Sequence, residues 1–110
     1  MFISKTENYT LLKLDNNSVQ NFYTELKNRY SEFEKEHLII NFSEKINIQI
    51  EEIVLFLEIS NQHLKNGTSF VLICKGINID NLPEELNVVP TLTEAIDILE
   101  MDAIERDLGF

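Results

Sequence analysis

Two continuous apolar runs, Leu38-Ile39-Ile40-Asn41-Phe42 and Phe70-Val71-Leu72-Ile73-Cys74, constrain the fold more than any other feature of the sequence. Each is too short for a helix and lacks regular apolar and polar alternation, so each reads as a central strand covered on both faces. Such strands lie side by side in a parallel sheet, and parallel neighbours need crossover helices packed on that sheet. The flanking segments supply them. Asp15-Asn16-Asn17-Ser18 offers several N-cap side chains, and Val19, Phe22, Tyr23, Leu26, Tyr30 and Phe33 then recur at helical spacing. A second helix is predicted from about Ile50 to Asn66, with Gly67 placed to end it in the left-handed conformation.

At the front of the chain, Phe2 to Glu7 and Tyr9 to Leu14 are short apolar or β-branched runs around Glu7-Asn8, the pattern of a hairpin. Past the second central strand, Ile77 to Asn87 reads as a loop with one helical turn and Val88-Val89 as a short last strand. Pro90-Thr91-Leu92-Thr93-Glu94 opens a final helix, because Thr91 and Glu94 have capping-box spacing and can satisfy each other's orphan amides. Its expected inward stripe is Leu92, Ala95, Ile96, Leu99 and Ala103. With 110 residues, 44% of them apolar, and neither linker nor internal repeat, the chain is read as one α/β domain over 1–110. The predicted architecture is a four- or five-stranded mixed sheet with helices packed on it.

Nineteen acids against nine bases give a formal charge of −10. The imbalance is concentrated: residues 1–76 hold ten acids and eight bases, while 77–110 hold nine acids and Arg106 alone. Neutralising phosphates takes clustered Lys and Arg, so nucleic acid is not an expected partner. No stretch approaches the roughly 20 apolar residues of a membrane span, and the first residues lack a basic segment followed by a long apolar run. No membrane partner is expected, and the expected location is the cytoplasm. The lone Cys74 cannot form an internal disulfide, which agrees with a reducing compartment.

No catalytic constellation stands out. Gly67, Gly76 and Gly109 are too far apart for a phosphate-cradling loop. Ser60, His63 and Asp80 could be written as a triad, but Ser60 has no nucleophile elbow and nothing fixes its partners. Cys74, at the end of a buried strand, reads as an inert core thiol. Two distant histidines and one cysteine are too few for zinc, and Glu84-Glu85 and Asp102-Glu105-Asp107 lack the alternating oxygen ligands of a calcium loop. The expectation is a protein that is not an enzyme and takes no metal and no cofactor.

Read in order as hairpin, helix, strand, helix, strand, short turn, strand and helix, the chain resembles the STAS domain, the module shared by sulfate transporters and anti-sigma factor antagonists. Leu38-Ile39-Ile40-Asn41-Phe42-Ser43 is similar to the family's apolar strand ending in Asp-Leu-Ser. Leu64-Lys65-Asn66-Gly67-Thr68-Ser69-Phe70-Val71-Leu72 matches its passage from helix to strand, and Val89-Pro90-Thr91-Leu92-Thr93-Glu94-Ala95 its capped last helix. The resemblance implies a SpoIIAA-like fold and a role in bacterial regulation through protein–protein contacts. Chains of this length that it resembles are small bacterial STAS-like proteins, some of which carry the label of the tRNA 3′-end endonuclease ribonuclease Z. That chemistry needs a set of imidazole and carboxylate ligands converging on two metal ions, which His37 and His63 cannot supply.

Family members that act as phosphorylation switches carry Asp-Ser-Ser-Gly at the start of the helix after the first central strand. Gln49-Ile50-Glu51-Glu52 falls there in this sequence, so the phosphoacceptor serine is missing and Glu51 takes the place of the second serine. A carboxylate carries one charge where a phosphate carries nearly two, so Glu51 would imitate the modified state only in part. The plainer role of Glu51 and Glu52 is to favour the helix N-terminus through the macrodipole.

Apolar residues on the wrong side of two helices call for a second cover, either a neighbouring helix of the same chain or a partner. The second helix is expected to bury Ile50, Ile53, Val54, Leu57 and Leu64, which leaves Leu55, Phe56 and Ile59 around its other face. On the last helix Ile98, Met101, Ile104 and Leu108 fall away from the inward stripe, and a kink near Asp102 would turn Met101 to Phe110 into a separate docking segment with an acidic rim. The expected partner-binding residues are therefore Glu51, Leu55, Phe56, Ile59, Met101, Ile104, Leu108 and Phe110. An apolar centre inside an acidic rim suits a protein partner with a basic, partly apolar patch, and a homodimer through the same patch is the simplest alternative. On this reading a charge at Phe56 would abolish self-association and leave the fold intact. Two other functions stay open on the sequence. One is a small-ligand-binding protein or weak enzyme with a pocket at the carboxyl ends of the strands, where Ser43, Gln49, Lys75 and Asp80 would gather. The other is an acidic decoy acting on a nucleic-acid-binding protein through residues 77–110.

Overall fold

The computed structural model describes residues 1–14, 18–42 and 48–109. Strands β1 (Phe2–Lys5), β2 (Thr10–Lys13), β3 (Leu38–Asn41), β4 (Phe70–Ile73) and β5 (Asn87–Val89) form one sheet in that spatial order. β1 and β2 are an antiparallel hairpin, and every other neighbouring pair is parallel. The two apolar runs are adjacent and in register, with Leu38 opposite Phe70 and Ile40 opposite Leu72. Strand periodicity then sends Leu38, Ile40, Phe70 and Leu72 into one core and Ile39, Val71 and Ile73 into a second, on the opposite face. Their unbroken hydrophobicity is thus the consequence of burial on both sides. The expected mixed sheet with helices on it is formed, with five strands.

Helices α1 (Val19–Asn28), α2 (Ile50–Val54) and α3 (Leu57–Lys65) cover the first face, and α4 (Leu92–Asp107) lies on the second. Ser18 caps α1, its Oγ accepting the Asn21 amide at 3.0 Å; the Asp15, Asn16 and Asn17 cap candidates lie outside the described residues. Thr91 caps α4 as its spacing to Glu94 predicts, accepting the Glu94 amide at 3.2 Å. The first core centres on aromatic rings: Phe42 meets Phe22 at 5.6 Å and Phe56 at 5.4 Å between centroids, one edge-on and one tilted. Gly67, at φ +79°, ends the α3 turn in the left-handed region as expected.

The second helix departs from the single span expected over 50–66. It is broken at Leu55-Phe56, where the Phe56 amide bonds to the Ile53 carbonyl at 3.1 Å, a three-residue step. In such a tightened turn residues i and i+3 eclipse, so Phe56 stays above Ile53 on the line that faces the sheet. The buried line accordingly runs through Ile53, Phe56, Ile59 and His63 instead of Leu57 and Leu64. Phe56 is 0% exposed and Ile59 6%, so both are core residues and neither belongs to a partner surface. Val54 and Leu64, expected inside, are exposed, Leu64 by 73%. A charge at Phe56 would enter the aromatic core and unfold the chain, which overturns its expected use as a probe of self-association.

The last helix is also corrected. α4 runs unbroken from Leu92 to Asp107, so Met101 onward is not a separate segment. The kink expected at Asp102 does not form because this side chain points inward and is held there: its Oδ2 accepts the Ser69 hydroxyl at 2.7 Å. Of the expected inward stripe, Ala95 and Leu99 are buried and Ile96 half-buried, whereas Leu92 and Ala103 are exposed. Phe110 lies outside the described residues.

Candidate functional site

The expected partner residues that remain on the surface fall into two groups. On α2, Glu51 is exposed in the first turn, followed by Val54 and Leu55 at 36% and 37% exposure. The helix is fixed at its start by Glu52, whose carboxylate accepts the Gln49 amide at 2.8 Å. That bond carries out, for Glu52, the N-terminal role read from the sequence. Leu55 emerges because the tightened turn gives the inward position to Phe56.

On α4, Met101 and Ile104 are each 58% exposed and Leu108 66%. They lie three and four residues apart on one line of the helix, opposite Ala95 and Leu99. Around this ridge stand Asp97, Glu100, Glu105 and Asp107, all exposed.

The two groups do not form one patch. α2 belongs to the layer on the Leu38 and Phe70 face, α4 to the layer on the Ile39 and Val71 face. They also sit at opposite ends of the sheet. α2 starts beyond the carboxyl end of β3, whereas α4 starts after β5 and runs back until its last turns reach Ser69, at the amino end of β4. The expectation of a single surface from Glu51 to Leu108 is therefore replaced by two separate surfaces.

Two buried polar clusters were not visible in the sequence. Beneath the end of α4, Ser69 is 3% exposed; its hydroxyl donates to Asp102 and accepts from Arg106 Nη2 at 2.8 Å. The Ser69 amide donates to His37 Nδ1 at 2.9 Å, which requires that nitrogen to be unprotonated. Burial and the nearby Arg106 charge hold the His37 pKa below its ordinary value, in the same sense. On the other face, the wholly buried His63 bonds Tyr30 Oη through Nδ1 and the Glu36 carbonyl through Nε2, the latter at 2.8 Å. Both clusters staple helices or turns to strand ends. Neither presents an unengaged nucleophile: Ser69 Oγ is held from both sides.

Among the described residues the other chemistries considered above find no assembled site. Ser43 lies outside the described residues, and Lys75 and Asp80 are exposed. Asp80 lines a concavity of about 360 Å³ along β5 with Leu82, Leu86 and Val88, and neither Lys75 nor Gln49 is part of that lining. Burial pushes the Cys74 thiol up in pKa, so it stays protonated. Among the described residues no three or more His, Cys, Asp or Glu side chains converge to hold a metal ion. Nor does any described helix have the length and apolar content to cross a membrane.

An antiparallel hairpin leading into a parallel sheet, with three helices on one face and a capped terminal helix on the other, is a STAS-like fold. Over 92% of its length the chain superposes on a serine-to-glutamate variant of RsbS from Moorella thermoacetica, with a TM-score of 0.61 and 21% identity over 95% of that chain. It superposes equally far on a chain from a structure of the stressosome, described as a signal integration and transduction hub, with a TM-score of 0.56 and 21% identity over 97% of that chain. No protein-family model matches the sequence, and no curated protein matches it. The fold expected from the resemblance is the fold found, and neither neighbour lends support to the ribonuclease Z label.

Proposed function

We propose that the chain is a non-catalytic protein–protein interaction module of bacterial regulation, similar to anti-sigma factor antagonists but without their phosphoacceptor serine, and that it works in the cytoplasm. The observation that carries this reading is the Met101, Ile104 and Leu108 ridge, more than half exposed on a helix whose surface charges are acidic. Large apolar side chains grouped in water mark interaction surfaces, and an acidic surround selects a partner with a basic, partly apolar patch. The likeness in fold to RsbS and to a stressosome chain supports the same reading. Glu51 and Leu55 form a second contact surface on the opposite layer, where Glu51 stands in the place of the family's second serine.

A photo-crosslinking amino acid placed at Ile104, at Leu55 and, as a control, at Gln20 on the polar face of α1 tests this in cells of the source organism. Discrete protein adducts at Ile104 and Leu55, absent at Gln20, are expected. An adduct of twice the chain's own mass would identify a homodimer. Absence of adducts at both sites, or the same adducts at all three, would refute the proposal.

A further inference from the structure

α4 covers only half of the sheet face on which it lies. Strands are about 4.8 Å apart and packed helices about 8–10 Å apart, so five strands have room for two helices on each face. One face carries α1 and the α2–α3 pair. The other carries α4 alone, packed on β4 and β5 over Val71 and Ile73, with Ile39 of β3 fully buried in the same cluster. By register, Phe2, Ser4, Leu11 and Lys13 of the β1–β2 hairpin belong to this second face. Phe2 is 62% exposed there, and Leu11 and Tyr9 are only half-buried. At the Tyr9 end of this strip a groove of about 380 Å³ opens against α4, lined by Asn8, Tyr9 and His37 on one side and Ile96, Leu99, Glu100 and Ala103 on the other. The four α4 residues in it lie on one line of the helix, and that line continues through the exposed Leu92. The expected inward stripe of α4 is therefore wider than this chain covers, and its uncovered half faces the groove.

We infer that the groove docks one amphipathic helix of another protein, with its apolar ridge over Leu11, Tyr9 and Ile96 and Lys or Arg side chains along the edge that faces α4. This rests on the interaction reading above and gives it a surface other than the Met101 ridge. The width of the vacancy, the two strands β1 and β2 at about 4.8 Å each, is that of a helix. The sign of the partner's charge follows from α4, which carries Glu94, Asp97, Glu100, Asp102, Glu105 and Asp107 against Arg106 alone, with Glu100 in the groove wall itself. Arg106 is already engaged by Ser69. A second copy of the chain fits poorly. The exposed face of α1 is wholly polar, and α4, which does offer an apolar ridge, would set acid against acid beside Glu100.

The test titrates the isotope-labelled full chain with a synthetic helix of about 16 residues, the length of α4, built from Leu at helical spacing and Lys elsewhere, and with its Leu/Glu counterpart. The Leu/Lys peptide is expected to shift the amide resonances of Tyr9, Leu11, Ile96 and Ala103 and to leave those of Gln20 and Leu55 in place. The Leu/Glu peptide is expected to shift none. Ala103→Arg, at an exposed helical position, fills the groove and cancels the Glu100 charge, and should weaken binding about tenfold or more. Leu92→Arg, further along the same line, provides a second variant should the first disturb the spectrum. The inference is overturned if the shifts fall on Met101, Ile104 and Leu108 and spare the strip, if the Leu/Glu peptide binds as well, or if neither binds. It is equally overturned if light scattering finds a dimer that Ala103→Arg dissociates, because a second copy would then be the occupant. None of these outcomes alters the crosslinking result at Ile104 and Leu55, so loss of the groove and loss of the interaction reading are read separately.

Discussion

The Tyr30 hydroxyl and His63 Nδ1 are hydrogen-bonded between the turn that follows α1 and the last turn of α3, and the geometry on the far side of the ring fixes which group donates. His63 Nε2 faces the Glu36 carbonyl, which can only accept, so the ring proton sits on Nε2. Nδ1 is then a lone pair and Tyr30 is the donor. Asn66 Nδ2 donates in turn to the Tyr30 oxygen at 3.4 Å, closing a chain of polar groups inside the helical layer. Burial lowers the His63 pKa and raises that of Tyr30, so both groups are held neutral.

This arrangement makes stability fall as the solution is acidified through the histidine range. The folded His63 and His37 both titrate below the usual 6.5, so the unfolded chain binds protons first as the pH drops. Their contribution is complete above 6.5 and is lost as pH falls from there through the lowered folded values. Glu36, held low mainly by the Thr10 hydroxyl bond, adds a further loss below the ordinary carboxylate value of 4.5. Urea midpoints measured from about pH 8 down to about pH 5 should decline, and His63→Gln should flatten the decline. A midpoint that holds or rises over that range would contradict the assignment.

Neighbouring residues at the helix break should behave in opposite ways. Phe56 fills the junction of the Phe22, Phe42 and Phe70 rings, so Phe56→Ala should cost about 3–5 kcal/mol. Leu55 is partly exposed beside it, and Leu55→Ala should stay within about 0.5 kcal/mol. Chemical denaturation of the two variants checks this. Equal costs would mean that the α2–α3 segment is a regular helix with its face turned by one residue.

That pair also shows where the sequence was legible and where it was not. The runs 38–42 and 70–74 announced adjacent buried strands because burial on both faces leaves a composition that nothing else explains. Thr91 and Glu94 announced a helix start because capping is a local bond. A uniform helical period, by contrast, cannot register one three-residue step, and that step moved Phe56 and Ile59 from the surface to the core. The Ser69 cluster joins residues 33 and 37 positions apart, and polar pairs at that distance leave no periodic trace. The proposed patch divided for a similar reason: which face a helix takes is a property of the whole sheet, and residue spacing within the helix does not carry it.

Ser69 is expected to hold the second half of α4 in place. Past Leu99 the helix has exposed Met101, Ala103 and Ile104 and no buried apolar residue, so the Asp102 and Arg106 bonds to one hydroxyl are what tie it down. Ser69→Ala leaves both partners to find each other or water, and should cost about 1–3 kcal/mol. Amide exchange over residues 100–107 should quicken, while that of Ala95 and Leu99 changes little. Unchanged exchange at the helix end would show that the hydroxyl is not the tether.

The separation of the two exposed groups predicts independence. Leu55 and Ile104 sit on opposite layers of the sheet, share no partner, and are already partly in water. Leu55→Lys and Ile104→Lys should each change stability by no more than about 0.5 kcal/mol, and the double variant should match the sum within about 0.3–0.5 kcal/mol. Had the groups closed over one another in a single patch, two new lysines would repel across it and the sum would fail. Crosslinking yields should follow the same rule, with Leu55→Lys leaving adducts from a probe at Ile104 unchanged and Ile104→Lys leaving those from a probe at Leu55 unchanged. A loss at the other site from either single change would mean that one partner spans the edge of the sheet, and the two surfaces would then have to be treated as one.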